Sequence, residues 1–305
     1  MGFHQNSSLN LPNTMDGTFG FYIGGYDYLV GGWDGTAPTY KTVYRSDNRG
    51  VTWAAQTDFN HKFHTAASCV VDDKAYIVGG DFFNPSIDGD YRRSSHKFES
   101  GSWSQIASNA GIGNRCLGGM VYLNGSFYIV GGQDDISGTN VFDTVMRSDD
   151  GCQSFTTILA DTKTQGFTSP LSWGSVCVHQ GLIWAICGSR HAAQHGRKII
   201  SSSDGINWTF RGWFRGMSRS YAPVVSHNGK IYVFNGNNPR FNSTGNPDGN
   251  LSDYWTIEVL NGGRIVQTYK GDTGWARQHA ISIWSTPYGI MMALGGTRHS
   301  WLFEV

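Results

Sequence analysis

The sequence predicts an all-β fold: a six-bladed β-propeller of four-stranded antiparallel blades, closed by an N-terminal strand that completes the last blade. Three observations lead there. Six apolar runs end in a small, glycine-bearing pair: Gly31-Gly32, Gly79-Gly80, Gly131-Gly132, Cys187-Gly188, Asn235-Gly236 and Gly295-Gly296. Counted on the second member they lie 48, 52, 56, 48 and 60 residues apart, and a self-similar period near 50 residues marks one supersecondary unit used repeatedly. Asn124-Gly125 and Asn228-Gly229 sit between alternating apolar residues, the strongest short-range hairpin signal, because both turn positions need positive φ. Finally, 41 Gly among 305 residues, with much Asn, Ser, Thr and aromatic residue, reads as short strands joined by tight turns with almost no helix.

Each unit has the same order. An opening strand and a turn lead to a very apolar strand that ends at the small pair; a variable loop, a third strand, a turn and a fourth strand with an aromatic follow. The third unit is the clearest: 118–123, the Asn124-Gly125 turn, 127–132, then 145–148 and 155–158. The blades are read as 18–58, 61–108, 112–162, 166–214, 218–271 and 275–305, all in one domain. The last has only three strands before Val305, so residues 2–12 are expected to supply its outer strand. Phe3 would take the aromatic position held elsewhere by Trp53, Trp103, Phe155 and Trp208. Pairing the chain ends removes the open edges of the array.

Composition excludes several function classes. Lys plus Arg equals Asp plus Glu at 23 each, so the chain has no basic excess to neutralise phosphates, and nucleic acid is not an expected partner. No apolar run approaches about 18 residues, so no membrane insertion is expected. Met1 to Asn6 has no basic and apolar leader, so no signal peptide is expected; composition favours an extracellular or virion-associated setting. The five Cys have no metal-type spacing and read as small buried hydrophobes. No metal and no cofactor are expected.

The Ile/Val-Gly-Gly pairs followed by a later Tyr and Trp resemble the kelch motif over essentially the whole chain. A second resemblance lies on the outer turns. Ser46-Asp47-Asn48-Arg49-Gly50-Val51-Thr52-Trp53 is similar to the Asp-box of sialidases and related propellers. Ser148 to Phe155 keeps its Ser, Asp and aromatic, and Ser202 to Trp208 is one residue short. The residues themselves read structurally: Asp or Asn bonds the turn backbone and Gly supplies positive φ.

In such a ring the opening strands line a central channel, and the loops before them and after the small pairs share one mouth, where ligands bind. The loops after the pairs present Trp33 and Asp34, Asp81, Asp134 and Asp135, Arg190 and His191, Arg240, and Arg298 and His299. The approaches to the opening strands add His64, Arg115, Trp173, Arg219 and Tyr221, and Arg277 and His279. So many Arg and His on one axis imply an anionic ligand, since a planar guanidinium grips a carboxylate or sulfate through two parallel bonds. The alternative is structural, with Arg115, Arg219 and Arg277 paired to Asp34, Asp81, Asp134 or Asp135. Trp33, Phe82, Trp173 and Tyr221 suit stacking on sugar rings. Arg219 is expected in a wet channel, where its removal would cost binding and not stability.

The leading expectation is a glycan-recognising propeller for acidic saccharides, suited to a phage or bacterial surface receptor-binding role; its oligomeric state is not written in the sequence. The alternative is a carbohydrate-active enzyme: a sialidase-like hydrolase, a sialate mutarotase or a uronate lyase. The sialidase resemblance would make Arg115, Arg219 and Arg277 a carboxylate-holding triad, but no F/Y-R-I-P segment opens the first blade, and none of the three Glu (Glu99, Glu258, Glu304) is placed to activate Tyr221. For a lyase or mutarotase, His64, His191, His279 or His299 with Tyr221 would shuttle protons. His191 and His195 are four apart but lie in a loop, which argues against zinc. A protein-interaction kelch scaffold is the third expectation.

Overall fold

A computed structural model of the chain describes residues 2–5, 16–33, 41–57, 59, 64–80, 92–134, 140–167, 175–190, 194–238, 249–274, 282–294 and 299–304. They form six four-stranded antiparallel sheets arranged as a propeller. Blade 1 comprises Phe19–Ile23, Tyr26–Val30, Val43–Ser46 and Ala54–Ala55. Blade 2 comprises Ala67–Val71, Lys74–Val78, Ser95–Glu99 and Ser102–Ala107, and blade 3 Gly119–Leu123, Ser126–Val130, Val145–Ser148 and Thr156–Leu159. Blade 4 comprises Val176–His179, Leu182–Ile186, Lys198–Ser202 and Thr209–Trp213, with a small hairpin of Ser189–Arg190 and Gln194–His195 between its second and third strands. Blade 5 comprises Val224–His227, Lys230–Phe234, Asp253–Val259 and Ile265–Asp272. Helix is limited, among the described residues, to two short 3-10 turns.

Blade 6 closes the ring as the sequence indicates. Its three strands Ser282–Thr286, Gly289–Ala293 and Ser300–Glu304 take Gly2–Gln5 as the fourth, with Phe3 opposite Phe303. Phe3 stacks on Phe303 at 4.5 Å and meets Tyr254 of blade 5 edge-on at 5.1 Å. Trp103 likewise packs back onto Phe21 of the preceding blade, so in these two blades the outer aromatic seals the seam against the blade before it.

The second strand of every blade is its most buried, and its apolar face packs against the neighbouring blade. Inner strands approach so closely that side chains have no room at some positions. A Cβ on Gly20 would lie 2.1 Å from the Trp284 ring, and one on Gly119 2.2 Å from Val176.

In blade 6 the small pair is displaced from its sequence reading. Gly79 N, Gly131 N, Cys187 N and Asn235 N each donate to the start of the third strand of their own blade, and Leu294 N does the same to His299 O. Leu294 therefore holds the first position of the sixth pair, one residue before Gly295. The sequence signal slipped because it recognised glycine, whereas the ladder register sets the position.

The three outer turns share one bonding pattern. Ser46 Oγ, Ser148 Oγ and Ser202 Oγ accept from the backbone N–H of Gly50, Cys152 and Gly205, and each donates to Asn48, Asp150 or Asp204, whose side chain accepts from the backbone beyond. Cys152 sits at φ 71° in the place of Gly50, a left-handed conformation that glycine takes without penalty. All five cysteines are free thiols.

Candidate functional site: the channel mouth

In blades 1, 3 and 5 the residue one before the inner-strand approach forms a bridge to the loop after the small pair of the same blade. Asp16 pairs with Trp33, Cys116 with Gln133 and Ser220 with Asn237. The next residue along is Gly17, Thr65, Leu117 or Tyr221, all in the left-handed region at φ 61°, 55°, 56° and 53°. Three non-glycine residues held there are backbone strain maintained by the ring around them. The kink turns the chain from the mouth into the inner strand, so these residues line the top of the channel.

The channel encloses about 260 Å³ and draws its lining from all six blades, including Thr18, Thr65, Gly118, Val176, Tyr221 and Ser282. Tyr221 reaches toward the axis: its hydroxyl feels both the Asp16 carboxyl of blade 1 and Cys116 of blade 3. Burial first, then the negative charge of Asp16, pushes the phenol far above its usual range. Asp16 is itself shifted, to about 7, because burial disfavours its charged form more than the Gly17 N–H stabilises it. Its Oδ1 is buried and meets no hydrogen-bond partner. His64 packs its ring on Gly17, where an added Cβ would lie 2.3 Å away, and faces the Trp33 ring at 6.1 Å. Burial lowers it to about 4, so it is neutral at physiological pH.

Two expected arginines have a different location from the one the sequence suggested. Arg219 is not in a wet channel; it is fully buried inside blade 5. Its guanidinium forks onto Asp253 (2.9 and 2.8 Å), donates to Asn235 O at 2.7 Å and lies over the Phe214 ring. Arg115 is the same device in blade 3, donating to Gly131 O, Ile112 O and Thr144 Oγ1 and lying 4.0 Å over Phe142. Each reaches the first member of its own small pair sixteen residues on. Each also accepts, through its own carbonyl, from the second member in the preceding blade: Gly80 N to Arg115 O and Gly188 N to Arg219 O. These arginines are inter-blade rivets, and the acidic partner of Arg219 is Asp253, not one of the loop aspartates.

Asp134 bonds Asn140 N at 3.0 Å and so closes its own loop. His299 is exposed at the start of the third strand of blade 6. Asp34, Asp81, Phe82, Trp173, His191, Arg240, Arg277, His279 and Arg298 lie outside the described residues, and Arg190 is placed by its backbone alone. Among the described residues, no three His, Cys, Asp or Glu side chains gather as a metal site.

Asp16 was not singled out in the sequence, yet the repeat contains it. Counting fifteen residues back from the first member of the small pairs of blades 1, 2, 3 and 5 gives Asp16, His64, Cys116 and Ser220.

No protein-family model matches the chain, and no curated protein matches it. Among solved structures, 509 chains match, too many to single out an activity. One of them, described as the structure of YjhT, superposes with a TM-score of 0.65 at 14% identity, covering 83% of this chain and 84% of its own. At that identity the likeness speaks for the propeller fold alone.

Proposed function

We propose that the protein recognises a saccharide at the channel mouth formed by Asp16, Trp33, His64 and Tyr221. The observation that carries this reading is the buried Asp16 Oδ1 without a partner, one residue before Gly17 in the lining of a six-walled channel that Tyr221 also lines. A buried carboxyl oxygen left unbonded is costly, and a ligand hydroxyl or carboxylate there would complete it. With its pKa near 7, Asp16 is available as the acid at and below neutral pH, and its O–H can then donate to an anionic ligand oxygen. Trp33 and Tyr221 supply aromatic surface for a sugar ring. Acidic saccharides remain the preferred class, and Arg115 and Arg219 are engaged internally and do not meet their charge.

The second reading is enzymatic and is favoured by the same Asp16 and Tyr221 couple, a carboxyl titrating near neutrality beside a phenol. Asp16 alone suits proton transfer, as in a lyase or mutarotase, with Tyr221 as a neutral hydrogen-bond donor beside the substrate. It does not suit a sialidase-type nucleophile, because the environment of Tyr221 opposes ionisation of its hydroxyl.

A screen of the purified protein against sialylated, uronate-bearing and neutral glycans, with mass spectrometry of the eluates, tests both. Binding without product supports recognition. A product with the mass change of elimination or hydrolysis supports an enzyme, and silence on every glycan removes both readings.

A further inference from the structure

The outer strands of blades 2 to 5 each carry a bulge at the same place, and this repeat supplies an internal control. The residues there are Gln105-Ile106-Ala107, Thr157-Ile158-Leu159, Phe210-Arg211-Gly212 and Tyr269-Lys270-Gly271. The first position is exposed in all four. Blades 2 and 3 put Gln105 and Thr157 there, as solvent demands. Blades 4 and 5 put Phe210 and Tyr269 there, 51% and 53% exposed, each followed by a cation. The bulge adds one residue to the blade 4 strand, so Trp213 returns to the same face as Phe210, and the two rings meet edge-on at 5.5 Å.

Trp213 is 54% exposed but well fixed. Lys198 Nζ sits 5.7 Å over its ring, and its carbonyl accepts from Gln267 Nε2 of blade 5 at 2.8 Å. From Trp213 the chain runs directly to the channel mouth in an alternating pattern. Trp213, Arg215 and Met217 are exposed, Phe214 and Gly216 are buried, and the run ends through Arg219 at Tyr221. Gln267 Oε1 accepts from Arg215 N at 2.8 Å, fixing this run to blade 5. Among the described residues, four of the eight exposed large hydrophobics (Phe210, Trp213, Met217 and Tyr269) belong to this seam. Eight residues separate Trp213 from Tyr221, at most about 28 Å of extended chain, an upper bound that leaves room for more than one sugar ring.

We propose that the seam of blades 4 and 5 is an extended saccharide track, on which Trp213, Arg215 and Met217 carry the outer rings of an acidic oligosaccharide whose terminal ring sits at Tyr221. The inference rests on the saccharide reading of the channel mouth and adds the ligand's chain length and direction. Fixed aromatic surface beside cations suits the apolar face of a sugar that bears a carboxylate or sulfate, because stacking and charge act on one ring together. The repeat argues that these exposed aromatics are not a folding requirement, since the same bulge forms with Gln105 and Thr157.

The test uses sialylated, uronate-bearing and sulfated chains, each from monosaccharide to hexasaccharide, titrated against the full protein and Trp213→Ala. For the class that binds, affinity should rise about tenfold or more with length, the size of one stacked aromatic contact. Trp213→Ala should erase that gain, leave the affinity for the monosaccharide intact and keep the wild-type melting temperature. Affinity independent of length, or a length gain that survives in Trp213→Ala, overturns the track. So does an analytical ultracentrifugation result in which Trp213→Ala dissolves a dimer and leaves the length gain untouched, for the seam would then be covered by a second copy. If no chain of any class or length binds, the saccharide reading itself fails, and the track falls with it.

Discussion

Arg219 and Asp253 form a forked ion pair inside blade 5, with both guanidinium NH groups on the two carboxylate oxygens at 2.9 and 2.8 Å. Trp255 Nε1 donates to the same carboxylate at 2.6 Å, so Asp253 holds three donors. The pair ties the approach to the inner strand to the third strand, and through Asn235 O and Gly188 N to the small pairs of two blades.

Removing Arg219 leaves the Asp253 carboxylate, 19% exposed, with only the Trp255 donor, so the loss lies toward the lower end of the about 3–5 kcal/mol that breaking a buried pair costs. Arg219→Ala should therefore lower stability by about that amount in denaturant unfolding. A loss below about 1 kcal/mol would contradict the rivet assignment.

Ring closure gives a second prediction. Deleting residues 1–12 exposes the Ser300–Glu304 edge and removes the Phe3 contacts with Phe303 and Tyr254, so the truncated chain should lose its cooperative melting transition. Phe3→Ala, at a half-buried site, should cost about 2 kcal/mol, below the 3–5 of a fully buried aromatic. An unchanged melting temperature in the truncated chain would show that the strand is dispensable.

The fold was legible because a propeller repeats its instructions: the small pairs and the Asn-Gly turns recur with a period that only one architecture suits. Even the missing strand of blade 6 could be counted. The site was less legible. Arg115 and Arg219 stand where a channel arginine would stand, and only the three-dimensional arrangement reveals that Gly131 O, Asn235 O and Asp253 have claimed them. Asp16 was hidden for the opposite reason. An aspartate before a glycine reads as a turn, and its burial comes from the convergence of blades 1 and 2 with blade 5, some two hundred residues away in sequence.

Asp16 and His64 set opposing pH dependences. The carboxyl of Asp16 titrates near 7 in the folded chain and near 4 when unfolded. As pH rises from 4 to 7 the unfolded state gives up a proton that the folded state keeps, so this group lowers stability across that window and contributes no further change above it. His64 titrates near 4 folded and near 6.5 unfolded, so its contribution is lost as pH falls through the same window. Asp16→Asn should give stability that rises from pH 4 to 7 more steeply than wild type. His64→Gln should give stability that falls or rises less. Denaturation midpoints at a series of pH values check this, and parallel profiles for all three proteins would refute both assignments.

Ligand binding carries its own pH signature. If the Asp16 acid donates to an anionic sugar oxygen, affinity for an acidic glycan should weaken as pH rises through 7, and Asp16→Asn, whose amide stays a donor, should flatten the profile. Calorimetric titration at pH 6 and 8 reads the difference. An equal pH dependence in Asp16→Asn would assign the titration to another group.

The most direct measurement is the affinity of wild type and Tyr221→Phe, side by side, for the glycan class that binds best in a screen. Losing the hydroxyl at the axis should weaken binding about tenfold, the cost of one buried hydrogen bond, with the melting temperature unchanged. A glycan that binds Tyr221→Phe as tightly as wild type would contradict recognition at the channel mouth.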